Sequence, residues 1–280
     1  MSHYAPPVLL GLFIWWFSTG LILFLDGLPR RTFRWSMTGA TALLAVALYG
    51  LIGSAGDTSV TGAYTAFTSA VVIWGWLEIS FYMGYVTGPR THHCRHGCAG
   101  WAHFGHAIQA SLYHEIAVLI LAGAVYGLTR GCPNQFGTWT FITLWWMHQS
   151  ARLNVFLGVK NLNAEFLPEH LSHIGSFFRS APMNMLFPFS VTLSTIAAVL
   201  LGQQALARPA DAFHTAGYML VTTMMVLAIL EHWFLVLPLP AAKAWNRLWE
   251  WSLGSRGTGR KMPRHQQSPL PTQATIGGHP

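Results

Sequence analysis

A polar segment in the middle of the chain, residues 153–178, carries side chains that are suited to chemistry. It lies between two apolar runs, yet it contains amides, carboxylates and imidazoles interleaved with phenylalanines. Pro168 can open a helix, and Glu169 in the first turn would face the positive end of the helix dipole. His170 and His173 would then be adjacent on the helix surface. The pattern predicts a short amphipathic helix that lies in a membrane interface or folds back into the membrane, although a solvated polar face would give the same pattern.

Imidazoles and carboxylates also occur inside the apolar runs. Such residues are costly in a membrane, usually face the bundle interior and often mark function. A rotation of about 100° per residue places His103, His106 and His114 in one stripe of a helix. Hydrogen bonding between helices is the competing explanation for each residue taken singly. Seven of these residues fall at a similar predicted depth: Glu78, His106, His114, Glu115, His148, Glu231 and His232.

Two ligand classes fit this combination of residues. Neutral imidazoles with carboxylates suit zinc, iron or manganese. A chlorophyll-like pigment or its precursor also fits, because one imidazole can ligate the central magnesium and aromatic side chains can stack on the macrocycle. Spacing does not separate the two classes. The candidate ligand-binding residues are His106, His114, Glu115, Glu169, His170, Glu231 and His232, and the candidate metal ligands are His106, His114, Glu165, His170 and His232.

The loop before the fourth apolar run forms a separate group of possible ligands. Cys94 and Cys98, together with His92, His93 and His96, could supply the four nitrogen and sulfur ligands that zinc needs. Their spacing is looser than the paired ligand blocks of typical zinc sites. A polar loop with weak metal affinity is the alternative.

The composition indicates an integral membrane protein. Of the 280 residues, 52% are hydrophobic and 9% are charged, whereas a soluble globular domain carries about 25% charged residues. The net charge of +7 does not indicate nucleic-acid binding, because Lys and Arg flank the apolar runs, where topology and anionic lipid explain them. The first apolar run lacks a preceding basic region, which predicts a membrane span and not a cleaved signal peptide.

The predicted fold is all-α, a polytopic membrane bundle of about seven transmembrane helices. All but two of the 16 Lys and Arg residues fall on one side of it, which places the N-terminus in the periplasm and the C-terminus in the cytoplasm. Residues 1–240 would form the bundle, with a cytoplasmic-side segment at 158–182, and residues 241–280 a basic, largely disordered cytoplasmic tail. The seven runs lie at residues 7–26, 35–54, 62–86, 103–128, 137–157, 183–206 and 213–237.

Long strings of the bundle resemble one known family. They include GLPRRTFRWSM (27–37), GDTSVTGAY (56–64), GYVTGPR (84–90), FGHAIQASLYHE (104–115), PNQFGTWTF (133–141), QSARLNVFLGVKNLNAEFLPEH (149–170) and LEHWFLVLPLP (230–240). Through them the chain resembles, over about residues 8–240, the PuhE family of purple phototrophic bacteria, which is described as photosynthetic complex assembly protein 2.

The resemblance implies a protein of the bacterial inner (intracytoplasmic) membrane that helps to assemble the photosynthetic reaction centre and its light-harvesting antenna. It would act on bacteriochlorophyll supply or delivery, with reaction-centre or light-harvesting subunits or pigment-biosynthesis proteins as partners. The resemblance transfers no catalytic residues, and an assembly factor without chemistry of its own is the first hypothesis. A metal-dependent membrane oxidoreductase or hydroxylase is the second. A proton-relaying transporter is the third, disfavoured because the outer halves of the spans lack ionisable groups.

Overall fold

The protein is an all-helical bundle, as the apolar runs predict. The computed structural model describes residues 3–94, 98, 100–162, 167–207 and 211–237. These residues form seven long helices and two short 3-10 helices, Arg30–Thr32 and Glu169–Phe177, and every predicted span coincides with a long helix. The long helices are α1 Ala5–Asp26, α2 Phe33–Ala55, α3 Val60–Tyr82, α4 Gly100–Thr129, α5 Phe136–Leu157, α6 Leu186–Leu206 and α7 Ala212–Val236.

Six of the seven long helices in the described residues are apolar enough to cross a membrane, and α5 is the exception. At 22 residues, α5 is as long as α1, but it carries His148, Gln149, Arg152 and Asn154. It is also in contact with α3, α4, α6 and α7. Its polar side chains therefore have protein neighbours, and a low hydropathy is expected for a helix enclosed by others.

Helices α3, α5 and α7 form the inner part of the bundle, where each contacts the other two. Helices α1 and α6 pack on α7, α2 packs on α3, and α4 packs on α5 and α2. The interior is filled by fully buried side chains such as Phe67, Ile73, Phe141 and Leu220. Many large apolar side chains of α1, α4 and α6 are exposed on the outside of the bundle, as lipid contact requires.

The segment between α5 and α6 is anchored at both of its ends, next to these helices, by hydrogen bonds of backbone and side-chain amide groups. Val159 and Ser180 form an isolated parallel β-bridge. The Asn161 amide group donates hydrogen bonds to the carbonyls of Phe234 and Leu237 at the end of α7. Asn184 donates in the same way to the carbonyls that end α5, and its side-chain oxygen accepts from the first backbone N–H groups of α6. These amides satisfy helix-end groups that would otherwise lack partners.

The helix predicted to start at Pro168 is present, but as the 3-10 helix Glu169–Phe177 with Pro168 as its N-cap. Leu171, His173 and Phe177 are buried, and Glu169 is exposed. The helix packs on α4, so its apolar face is covered by the bundle itself. We call residues 167–178 the roof segment. Glu165 and the tail at 241–280 lie outside the described residues, and the predictions about them stay predictions.

Close helix approach in the bundle depends on glycine, which leads to a prediction about α7. A Cβ atom at Gly217 would lie 2.1–2.3 Å from three ring carbons of Phe136, a buried ring that also packs edge-on against Phe213 and Tyr218. We therefore expect Gly217→Ala to destabilise the fold by about 1–3 kcal/mol through overpacking, measured as a lower thermal midpoint in detergent. Gly75→Ala is the matched control, because a Cβ there would meet nothing within 4 Å. Equal midpoints for the two variants would contradict the packing argument.

Candidate functional site

A cavity of about 550 Å³ lies between α3, α4 and α5, beneath the roof segment. Apolar and aromatic side chains form most of its wall, and a few polar groups converge on it. This is the usual make-up of a small-molecule site. The main lining residues are Glu78, Phe81, Phe104, Ser111, His114, Glu115, Trp145, His148, Gln149, Arg152, Phe156, Leu167, Ile174, Phe177 and Phe178.

His114 is the central polar group of the cavity wall. Its side chain is 1% exposed, and its ring lies 4.8 Å from the ring of Phe81. Neither ring nitrogen has a hydrogen-bond partner among the described residues. Buried polar atoms are nearly always hydrogen-bonded, so this imidazole on the cavity wall has one donor and one acceptor that no described residue satisfies.

The loop after α3 fixes the position of His114. The backbone N–H of His114 donates to the carbonyl of Thr87, 3.0 Å away. Gly88 lies directly against the α4 backbone, since a Cβ there would be 2.0 Å from the carbonyl oxygen of Gln109. His114 is therefore level with the last turn of α3, and α4 continues for several turns beyond it.

Glu78 and His148 form a pair beside His114. The Nδ1 atom of His148 lies 3.3 Å from a Glu78 carboxylate oxygen, and Trp74 packs edge-on against the imidazole. One ligand atom from each of Glu78, His114 and His148 lies within 4.8 Å of the other two, so the three could hold a metal ion. Glu78 and His148 belong to the seven residues at similar predicted depth, but they are not among the candidate ligands predicted from the sequence.

The carboxylate of Glu115 is paired with polar side chains of α5. It forms an ion pair with Arg152 and accepts a hydrogen bond from Gln149, while Arg152 also donates to Ser111. The sequence suggested that Arg152 flanks a span as a topology signal, whereas the structure places it inside α5 on the cavity wall. The overlooked signal is spacing, because His148 and Arg152 are four residues apart and share one helix face.

Two of the predicted site residues serve other contacts. His232 donates from Nδ1 to the carbonyl of Ala228 at 2.8 Å and accepts at Nε2 from the hydroxyl of Ser150 at 2.9 Å. Both nitrogens are therefore engaged, and His232 links α7 to α5. Glu231 accepts a hydrogen bond of 2.8 Å from the indole N–H of Trp15, which links α7 to α1.

His170 attaches the roof segment to the end of α3. Its Nε2–H donates to the carbonyl of Tyr82 at 2.8 Å. The ring lies over Gly84, which has a φ of +81° and where a Cβ would be 3.0 Å from His170 Cδ2. Burial lowers the pKa of His170, the nearby charge of Arg30 lowers it further, and the hydrogen bond to Tyr82 opposes both effects.

His106 lies in a second group, at the start of α4. Its Nδ1 atom is 3.3 Å from the sulfur of Cys98 and 3.7 Å from that of Cys94, and His103 Nδ1 is 3.2 Å from Cys94. The predicted partners of the cysteines were instead histidines of the loop itself: His92, His93 and His96. His96 lies outside the described residues, and His92 contacts Thr91. The difference arises because Cys94 and Cys98 lie against the first turns of α4 and contact its histidines.

The predicted ligand set is thus divided among several places. His114 and Glu115 line the cavity, His106 belongs to the cysteine group, and His170, Glu231 and His232 make the contacts given above. Glu169 is exposed, and Glu165 is outside the described part of the chain.

Comparison with known proteins gives two matches. The model of a family described as "Protein of unknown function (DUF3623)" matches residues 1–260. A relative from Rhodobacter capsulatus, named "Uncharacterized 30.4 kDa protein in puhA 5′ region", is 41% identical over 248 residues, which cover 87% of this chain and 89% of the relative. No solved structure matches the chain.

The lowered pKa of His170 gives a testable pH dependence. A histidine with a depressed pKa in the folded state contributes stability above its unfolded pKa of about 6.5, and this contribution is lost as the pH falls through the folded pKa. We expect the thermal midpoint of the wild type to fall more steeply below about pH 6.5 than that of His170→Asn. Other histidines titrate in both proteins, so the difference between the two curves is the measurement. Parallel curves would show that His170 carries no such linkage.

Proposed function

Because the chain belongs to the DUF3623 family, with a relative named for the puhA 5′ region, we propose that it is a membrane assembly factor for the photosynthetic reaction centre and light-harvesting complex. In this proposal the cavity binds bacteriochlorophyll or a precursor of it and holds the pigment for delivery to other proteins. The resemblance of its longest sequence strings to the PuhE family supports the same role.

The observation that carries the proposal is the unpartnered imidazole of His114 on the cavity wall. An imidazole nitrogen is a common metal ligand in proteins. His114 would hold a chlorophyll-type pigment by binding its magnesium through one imidazole nitrogen. Such a ligand would satisfy one of the two vacant ring atoms and leave the other as a hydrogen-bond donor.

The remaining wall also suits a tetrapyrrole. Phe81, Phe156 and Phe177 offer flat apolar surfaces for the macrocycle. Arg152 and Gln149 are hydrogen-bond donors that could reach carbonyl groups on the ring edge, and the charge of Arg152 is offset by Glu115. The cavity volume lies within the range of about 300–1,000 Å³ that is usual for small-molecule sites.

The distribution of Lys and Arg supports a location for this site. The proposed arrangement has seven spans, a periplasmic N-terminus and a cytoplasmic C-terminus, in the bacterial inner (intracytoplasmic) membrane. The cavity and the roof segment would then lie on the cytoplasmic side. Reaction-centre or light-harvesting subunits, or pigment-biosynthesis proteins, would meet the protein at the membrane.

A metal-dependent oxidoreductase is a second candidate, favoured by one specific observation. Glu78, His114 and His148 supply two imidazoles and a carboxylate, which is the ligand set of many non-haem iron oxygenases. The cavity, however, has far more volume than a single ion needs. It would have to hold an organic substrate next to the metal.

Pigment content of the purified protein tests the first proposal. The full chain is isolated in mild detergent from a phototrophic host that makes bacteriochlorophyll, and bound pigment is quantified by absorbance after solvent extraction. We expect pigment in the wild type and a loss of more than about tenfold in His114→Ala, because the imidazole proposed to bind the magnesium is removed. His214→Ala is the matched control, since that imidazole pairs with Asp211 at the start of α7, outside the cavity lining.

A chemical rescue separates ligation from folding. In His114→Gly, free imidazole added during purification should restore pigment binding, which it would not do if His114 only stabilised the bundle. Wild-type protein without pigment would contradict the proposal. One iron per chain, abolished by both Glu78→Gln and His148→Ala, would support the oxidoreductase instead.

A further inference from the structure

A group of four sulfur and nitrogen ligands lies outside the cavity lining. Cys94 and Cys98 belong to the loop after α3, and His103 and His106 occupy the first turns of α4. The two histidines are three residues apart and therefore neighbours on one helix face. The order along the chain is Cys-x3-Cys-x4-His-x2-His.

We propose that these four residues bind one structural zinc ion. Two thiolates and two imidazoles are a common ligand set of structural zinc sites. The two positive charges of the ion would be balanced by the two thiolates, so a filled site would be neutral. With four protein ligands the site would have no open position, which is typical of a structural and not a catalytic role.

Three sulfur–nitrogen distances in this group are close to those of a tetrahedral zinc site. Zinc lies about 2.3 Å from sulfur and about 2.0–2.1 Å from nitrogen, so two such ligands at the tetrahedral angle are about 3.5 Å apart. The observed sulfur–nitrogen distances are 3.2 Å for Cys94–His103, 3.3 Å for Cys98–His106 and 3.7 Å for Cys94–His106. The ligand atoms of Cys94, Cys98 and His106 all lie within 4.8 Å of one another. Cys94, Cys98 and His106 could thus hold a metal together, and His103, which contacts Cys94, would turn towards the ion to complete the set.

The fourth ligand, His103, is oriented by aromatic contacts. Its ring stacks on Phe156 of α5 at 5.4 Å between centroids and lies 5.5 Å from Phe177 of the roof segment. These contacts direct Nδ1 towards Cys94. A ring held by its neighbours loses little rotational freedom when it binds a metal, which favours binding.

Hydrogen bonds from the cysteine loop connect the proposed zinc site to the roof segment. The backbone N–H of Cys94 donates to the hydroxyl of Ser176 at 3.0 Å, and this hydroxyl donates to the carbonyl of His173 at 2.6 Å. The loop that carries both thiols is thereby attached to the 3-10 helix. A zinc ion would join this loop and the start of α4, and through them hold the roof segment over the cavity.

Metal analysis of the full-length protein tests this inference independently of pigment binding. The chain is purified in detergent under reducing conditions and without a polyhistidine tag, and zinc is measured by mass spectrometry. We expect one zinc per chain in the wild type and loss of the zinc in Cys94→Ser and in Cys98→Ser. Cys132→Ser, at the remaining cysteine of the chain, should retain it. His114→Ala should also retain zinc, so failure of the pigment proposal would leave this result unchanged.

A second measurement needs no variant. Cobalt added to metal-free wild-type protein should give the absorption of tetrahedral Co²⁺ together with a thiolate-to-metal charge-transfer band, and zinc should displace it. Bound zinc should also protect Cys94 and Cys98, but not Cys132, from alkylation. Absence of zinc and of the cobalt spectrum, zinc that the cysteine variants retain, or equal alkylation with and without zinc would each overturn the inference.

Discussion

The cost of an unpaired polar group in an apolar interior is the constraint on which this bundle depends. Three pairs of its inner polar side chains join different helices: Glu78 with His148, Glu115 with Arg152, and His232 with Ser150. These pairs connect α3, α4 and α7 to the polar helix α5, which explains why the least apolar long helix is an inner one. His114 departs from the pattern, because both of its ring nitrogens lack partners in the described part of the chain. The departure occurs where the helices leave a cavity between them.

The same constraint explains the segment between α5 and α6. A helix ends with carbonyl groups that have no intrahelical partner. The Asn161 side chain covers such groups at α7, and Asn184 covers those of α5. Asn161, one of the amides that make residues 153–178 look suited to chemistry, therefore helps to hold the segment in place. Because both ends of the segment are anchored in this way, Ile174, Phe177 and Phe178 are placed to line the cavity.

The helices could be predicted from sequence because apolar runs of membrane length are a strong one-dimensional signal. The candidate site could be predicted only in part. His114 and Glu115 are unusual residues for an apolar run, and that alone identifies them. The partner of Glu115 was missed because an arginine near the end of a run also has a topological explanation. Cys94 and Cys98 contact His106 in the first turns of α4, and residue spacing does not encode which histidines the two cysteines meet. His170 and His232 look like ligands by type, but their nitrogens contact Tyr82 and Ser150.

The cavity and the cysteine group share part of their structure. Phe156 and Phe177 line the cavity and also hold the ring of His103. The roof segment is thus fixed by different contacts at its two sides. Next to α5 and α6 the chain is held by the β-bridge at Val159 and by amide caps. The far side of the roof segment, next to the cysteine group, is held by side-chain contacts and by the Cys94–Ser176 hydrogen bond. If a ligand displaced this segment, the far side would move more easily than the anchored end, because that movement breaks fewer backbone hydrogen bonds. A metal bound by the cysteine group would act at that same side, so its presence would determine how readily the cavity opens.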